Sequence, residues 1–119
     1  MPDDIVPSFN ANTRLAVYGT LAPGRVNAHE LSALIGEWRK GYVTGQLVKK
    51  GWGADLGYPA LIPDAEGERI EVMVLESRDL PEHWDRLDAF EGDEYQRAVL
   101  TVECGGEAIE ASIYVEASA

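Results

Sequence analysis

Leu80-Pro81-Glu82-His83-Trp84-Asp85-Arg86-Leu87-Asp88-Ala89-Phe90-Glu91-Gly92 carries the helical signal that sets the class of this chain. Leu80, Trp84 and Leu87 recur at alternating steps of four and three, the spacing of one helix face. Asp79 followed three positions later by Glu82 resembles a capping box and is expected to open the helix. Gly92 is a plausible stop. Leu87 and Phe90 are expected in the core. The next position on the stripe holds Glu91, and a carboxylate on a core-facing stripe is costly to bury. Two readings of Glu91 stand. The helix ends early and the side chain is solvated, or the carboxylate is walled off and its pKa is raised by burial, by the helix dipole and by Asp88, Asp93 and Glu94. A carboxyl group of the second kind can move protons near neutral pH.

Around this helix the chain reads mainly as strands. Residues 1–13, with Pro2, Pro7, Asn10 and Asn12, read as a loose N-terminal arm. Leu15-Ala16-Val17-Tyr18 is an apolar run closed by Gly19, the pattern of a buried strand. Leu31, Leu34 and Ile35 are spaced for a short helix over 27–36, with Gly36 as its stop. From Trp38 to Leu75 the pattern turns strand-like. Val43, Gly45 and Leu47 alternate with polar neighbours, as do Ile70, Val72 and Val74. Tyr58-Pro59-Ala60-Leu61-Ile62-Pro63 is bounded by prolines and suits a sheet edge. Ala98–Cys104 and Ala108–Val115 form a hairpin around Gly105-Gly106. Strand, helix, several strands, helix and hairpin define an α+β domain over residues 14–119, on a mixed or antiparallel sheet able to curl into a barrel.

Composition narrows the function. The 119 residues fit one domain with its own core, and 45% are hydrophobic. The formal net charge of -11 leaves no basic stripe for nucleic acid and no attraction to anionic lipid. Cys104 is the only cysteine, so the chain holds no internal disulfide and no cysteine-rich metal site. The N-terminus lacks the pattern of a secretory signal, and no apolar run nears the roughly 20 residues of a membrane helix. A cytoplasmic location is the default expectation.

Three features could carry chemistry. Glu91 is the first. The second is Tyr18-Gly19-Thr20-Leu21, either an ordinary turn after a strand or a nest of backbone N–H groups able to hold an anion. The third is Tyr114, which falls on the opposite strand face from Ile109, Ala111, Ile113 and Val115, and is either exposed or lines a polar cavity. His29 and His83 do not sit at ligand spacing, and with Cys104 they form no zinc set. Phosphate-loop, Gly-x-Ser-x-Gly and dinucleotide motifs are absent. Asp88, Glu91, Asp93 and Glu94 lack calcium-loop spacing, and a solvated acidic turn accounts for three of the four.

Val17-Tyr18-Gly19-Thr20-Leu21, Leu87-Asp88-Ala89-Phe90-Glu91-Gly92 and Tyr95-Gln96-Arg97, taken in that order, resemble the gamma-glutamylcyclotransferase-like family, which includes the gamma-glutamylamine cyclotransferases and the plant avirulence-induced proteins. Tyr58-Pro59-Ala60-Leu61 and Ile113-Tyr114-Val115 also look like family positions, so the resemblance spans about Arg14 to Val115. It implies a small mixed, mostly antiparallel barrel flanked by two main helices, with a cavity at one end. It implies a small γ-glutamyl substrate, no cofactor and no metal. Glu91 matches the catalytic glutamate, and Tyr18, Gly19, Thr20 and Leu21 match the segment that binds the glutamyl portion. Tyr114 looks like the cavity tyrosine. Many members carry Arg or Lys where this chain has Ala22, with Arg25 as a substitute cation. The expected activity is release of 5-oxoproline from a γ-glutamyl amine or amino acid. The rival is a non-catalytic module on the same fold that binds a glutamyl-like acid.

Overall fold

The computed structural model describes residues 10–18, 31–32, 34–50, 58–92 and 95–117. Six strands form one mixed sheet: β1 (Arg14–Val17), β2 (Glu37–Lys50), β3 (Tyr58–Pro63), β4 (Glu68–Glu76), β5 (Tyr95–Cys104) and β6 (Glu107–Glu116). Their order is β1-β4-β2-β3-β6-β5. A β1–β6 pairing joins the first of these back to the fifth, so β1, β4, β2, β3 and β6 make a ring of five strands. β5 lies antiparallel along the whole of β6 and touches β2 through Tyr42 and Glu103. β6 is the mixed element, because it takes β1 and β3 in parallel and β5 antiparallel.

Strand β3 overturns the edge assignment for Tyr58–Pro63. It pairs with β2 from Tyr58 to Pro63 and meets β6 at Leu61 opposite Val115, so it lies inside the sheet. Its central residues Ala60 and Leu61 are buried, which gives this short apolar run its place inside. The expected alternation in β2 holds only in part. Val43 is buried, but Leu47 is 47% exposed, beyond Gly45, where β2 passes from β4 to β3 as partner.

Two apolar clusters fill the molecule. Ala16, Val43, Leu61, Val72, Val74, Val102, Ile113 and Val115 pack as one. Leu15, Val17, Leu75, Leu80, Trp84, Leu87 and Tyr114 pack as the other. Neighbouring residues of β1 and β6 enter different clusters because successive strand side chains point to opposite faces, and here both faces are covered. The second cluster receives helix α1 (Trp84–Glu91).

One main helix is present among the described residues. Half of the predicted first helix, residues 27–36, falls outside them, and at 31–32 and 34–36 the chain is a turn, a bend and irregular backbone with no α-helix. Of its three marker residues, Leu31 and Leu34 are buried and Ile35 is 84% exposed. The Asp79–Glu82 capping box does not form. Residues Leu80–Glu82 are a 3-10 turn preceding α1, and the Asp79 carboxylate instead accepts from the backbone N–H of Ile35 at 2.9 Å. That N–H lies beside a different chain segment, and a short carboxylate satisfies it as well as it would a helix end. At the N-terminal side, Ala11–Thr13 form a 3-10 turn tied to the body. Its carbonyls accept from Ser112 Oγ, Trp84 Nε1 and the Ser77 N–H. Residues 1–9 of the predicted loose arm lie outside the described residues.

Candidate active site

Glu91 ends α1. The stripe read from the sequence places it correctly, since Leu80, Trp84 and Leu87 are 0%, 5% and 0% exposed and point into the cluster beneath the helix. The chain then leaves through Gly92, at φ 83° and ψ -174°, a conformation open only to glycine. Phe90 does not belong to the core as expected: it is 39% exposed, because it falls on the outer side of this last turn. Glu91 itself is half-buried, and burial raises its carboxyl from 4.5 to about 7. Among the described residues burial is the cause that stands out, rather than the neighbouring carboxylates. Asp88 is not simply a solvated member of an acidic turn, as described below.

Tyr18 follows directly on the last residue of β1, Val17. Its hydroxyl donates to the carbonyl oxygen of Tyr114 at 2.6 Å and accepts from the N–H of Leu61 at 2.8 Å. These backbone groups belong to β6 and β3 at the point where the two strands meet. Tyr18 therefore joins three strands at one end of the ring. Burial pushes its hydroxyl far above the usual tyrosine range, with the charges of Tyr95 and Glu91 adding to the rise and the Leu61 hydrogen bond opposing it.

Tyr114 is not an exposed residue. It is 5% exposed, and its ring packs in the cluster under α1. Its hydroxyl donates to Asp88 Oδ1 at 2.6 Å. The same oxygen receives Arg97 Nε at 3.3 Å. Burial raises the Tyr114 hydroxyl, the Asp88 hydrogen bond and the charges of Asp88 and Glu91 add to this, and Arg97 works against it. The Arg97 guanidinium also lies 4.3 Å from the centre of the Trp84 ring, a cation–π contact.

The structure thus brings Glu91, Tyr18 and Tyr114 together. Glu91 is close enough for its charge to act on both hydroxyls. Gly19, Thr20 and Leu21, and the Ala22 and Arg25 positions, lie outside the described residues. Asp88 and Arg97 are the side chains at this site whose contacts residue patterns missed. The hairpin did hold a signal for Arg97. Tyr114 lies as many residues after the Gly105-Gly106 turn as Arg97 lies before it, and the two are direct cross-strand partners. No pattern pointed to Asp88, whose partners come from β5 and β6.

A closed ring of five strands, one helix packed on its outside and a half-buried glutamate at that helix's end define a class of small α+β proteins. The chain belongs to the AIG2-like gamma-glutamyl cyclotransferase family, whose model matches residues 15–118. It is similar to an AIG2-like protein from Mus musculus, at 25% identity and a TM-score of 0.69, covering 90% of this chain and 78% of that one. It is also similar to YkqA from Bacillus subtilis, at 28% identity and a TM-score of 0.66; the match covers 88% of this chain and spans 36% of the longer YkqA. An uncharacterized protein from Pyrococcus horikoshii shares the fold at 20% identity, with a TM-score of 0.63 and coverage of 90% and 80%. No curated protein matches the chain. Among the described residues no helix is long and apolar enough to cross a membrane.

Proposed function

We propose that this protein releases 5-oxoproline from a γ-glutamyl amine or γ-glutamyl amino acid, with Glu91 as the general acid and base. The observation that carries this reading is the Glu91 carboxyl at the end of α1, raised by burial to about 7 and within electrostatic reach of Tyr18 and Tyr114. Family membership supports it.

The chemistry asks little of the protein. The α-amine of the γ-glutamyl group attacks its own γ-carbonyl carbon. A C–N bond closes the five-membered lactam, and the bond from that carbon to the leaving nitrogen breaks. The α-amine arrives mostly protonated, so a base must take a proton before attack. Glu91 takes it and releases it to solvent, takes a second proton from the attacking nitrogen as the C–N bond forms, and delivers that one to the leaving nitrogen, which departs as a neutral amine. A group that titrates near 7 is half-ionised at neutral pH, so it can do both. Nucleophile and electrophile share one molecule, and orienting them is worth about 7–11 kcal/mol of the barrier. Backbone N–H groups of Gly19, Thr20 and Leu21 would hold the substrate carboxylate or the developing oxyanion. Tyr114, buried beneath the last turn of α1, would form one wall of the substrate site. The location expected for such an enzyme is cytoplasmic.

The test is incubation of the purified protein with a panel of γ-glutamyl amines and amino acids, followed by assay of 5-oxoproline. Turnover on at least one substrate, reduced about 10²–10⁴-fold in Glu91→Gln, is the expected result. Ligand-induced thermal shifts without turnover on any panel member would instead indicate a binding module.

A further inference from the structure

We propose that Asp88 is a positioning residue, whose carboxylate clamps the last turn of α1 to the β5–β6 hairpin and so holds Glu91 in place. The proposal takes Glu91 as the working carboxylate and to that extent rests on the function proposed above. Its geometric content does not.

The last turn of α1 needs such a clamp. The helix has eight residues, too few to persist without tertiary contacts. Its apolar anchors, Trp84 and Leu87, lie in its first half. Beyond Leu87, Ala89 is exposed and Phe90, 39% exposed, stands outside the core cluster beneath the helix. Asp88 supplies the tie. Its Oδ1 accepts the Tyr114 hydroxyl at 2.6 Å, a short charge-assisted bond of the strong kind. It also meets Arg97 Nε at 3.3 Å. The Arg97–Asp88 pair is partly exposed and contributes little alone. Arg97 matters more for orientation, because it grips α1 at two points one turn apart, the Trp84 ring and Asp88.

Tyr114 is in turn fixed at both ends. Its carbonyl takes the Tyr18 hydroxyl and its own hydroxyl goes to Asp88. Hydrogen bonds therefore run from Leu61 in β3 through Tyr18 and β6 to the helix turn that bears Glu91. Asp88 and Glu91 are three residues apart, on one flank of the helix, and both act on Tyr114. Release of Asp88 would let that turn swing into water and carry Glu91 with it.

The experiment compares Asp88→Ala, Asp88→Asn and Tyr114→Phe with the unaltered protein. The first readout is the titration midpoint of the Glu91 carboxyl, followed by ¹³C NMR. Among the described residues, the ionisable or charged groups that share this site are Tyr18, Tyr95, Arg97, Tyr114 and Asp88 itself. Asp88→Asn removes the Asp88 charge alone and is the control for a purely electrostatic effect. Its amide oxygen can still accept from Tyr114 while carrying no charge. The expected result is a fall of about one pH unit or more in Asp88→Ala and in Tyr114→Phe, with Asp88→Asn close to the unaltered protein. Equal falls in Asp88→Ala and Asp88→Asn would assign the effect to charge and overturn the proposal. So would an unchanged midpoint in Tyr114→Phe, which keeps every charge in place if Asp88→Ala fails to fold. The second readout is 5-oxoproline release. In Asp88→Ala, kcat should fall by about tenfold or more with KM within about twofold, restored by Asp88→Asn. If the unaltered protein turns over no γ-glutamyl compound, the proposed function fails, while the Glu91 titration still decides the role of Asp88.

Discussion

The Tyr18 hydroxyl donates to the carbonyl oxygen of Tyr114 at 2.6 Å, and this bond fastens the end of the first strand to the last strand of the chain. The Tyr18 hydroxyl oxygen in turn accepts from the N–H of Leu61, a residue with no exposed surface. Tyr18→Phe keeps the ring and removes both bonds, leaving a donor and an acceptor buried without partners. A loss of about 1–3 kcal/mol is expected, read as a lower urea midpoint with unchanged slope. A loss near zero would mean that Tyr18 does not hold the barrel end.

Turnover should follow the ionisation of Glu91. The base must be deprotonated to accept the α-ammonium proton, and burial places its midpoint at about 7 instead of 4.5. The rate should therefore be low at pH 5 and rise through about pH 7 on the acidic limb of the profile. A limb centred near 4.5 would show a solvated carboxylate and remove Glu91 from this role.

Stability should depend on the same group in the opposite direction. The folded-state value is raised, so Glu91 favours folding fully below pH 4.5, where it is protonated in both states. That contribution is lost as the pH rises through about 7. Glu91→Gln lacks this titration. It should match the unaltered protein at pH 4 and exceed it at pH 8. The full shift corresponds to about 3 kcal/mol, and partial exposure reduces the expected gain to about 1–2 kcal/mol. Urea denaturation at the two pH values measures it. A variant that is both inactive and more stable at pH 8 would show strain held at the site for function.

Gly92 should resist substitution for a reason unrelated to space. A methyl group there would meet nothing within 4 Å, so the cost comes from φ 83° with ψ -174°. Gly92→Ala and Gly92→Asn should each lose about 1–3 kcal/mol. Gly105, at φ 57° in the hairpin turn, should tolerate asparagine with a loss below about 1 kcal/mol, because Asn enters the left-handed helical region readily. Thermal melts of these variants separate the two cases.

Where local periodicity sets the outcome, the chain was readable. The stripe Leu80, Trp84, Leu87 put Glu91 on the flank that turns inward, and Gly105-Gly106, both at positive φ, set the register that places Arg97 opposite Tyr114. Phe90 misled because a residue's neighbour on a helix lies about 100° around it, so adjacency to a buried stripe does not imply burial. The prolines of Tyr58–Pro63 misled because they sit at the two ends of β3, while the interior contact with β6 is made at Leu61 between them.

By itself the sequence determined the elements whose cause is local: the α1 face, the stop at Gly92 and the hairpin. Only the tertiary structure decided that β3 closes the ring, that Tyr18 spends its hydroxyl on β3 and β6, and that Asp88 answers Tyr114 and Arg97. Those pairings join different elements of the chain, the tyrosine bonds across 26 to 96 positions, and no periodicity along one segment encodes which other segment will meet it. The meeting is set by how six strands and one helix bury their apolar faces together.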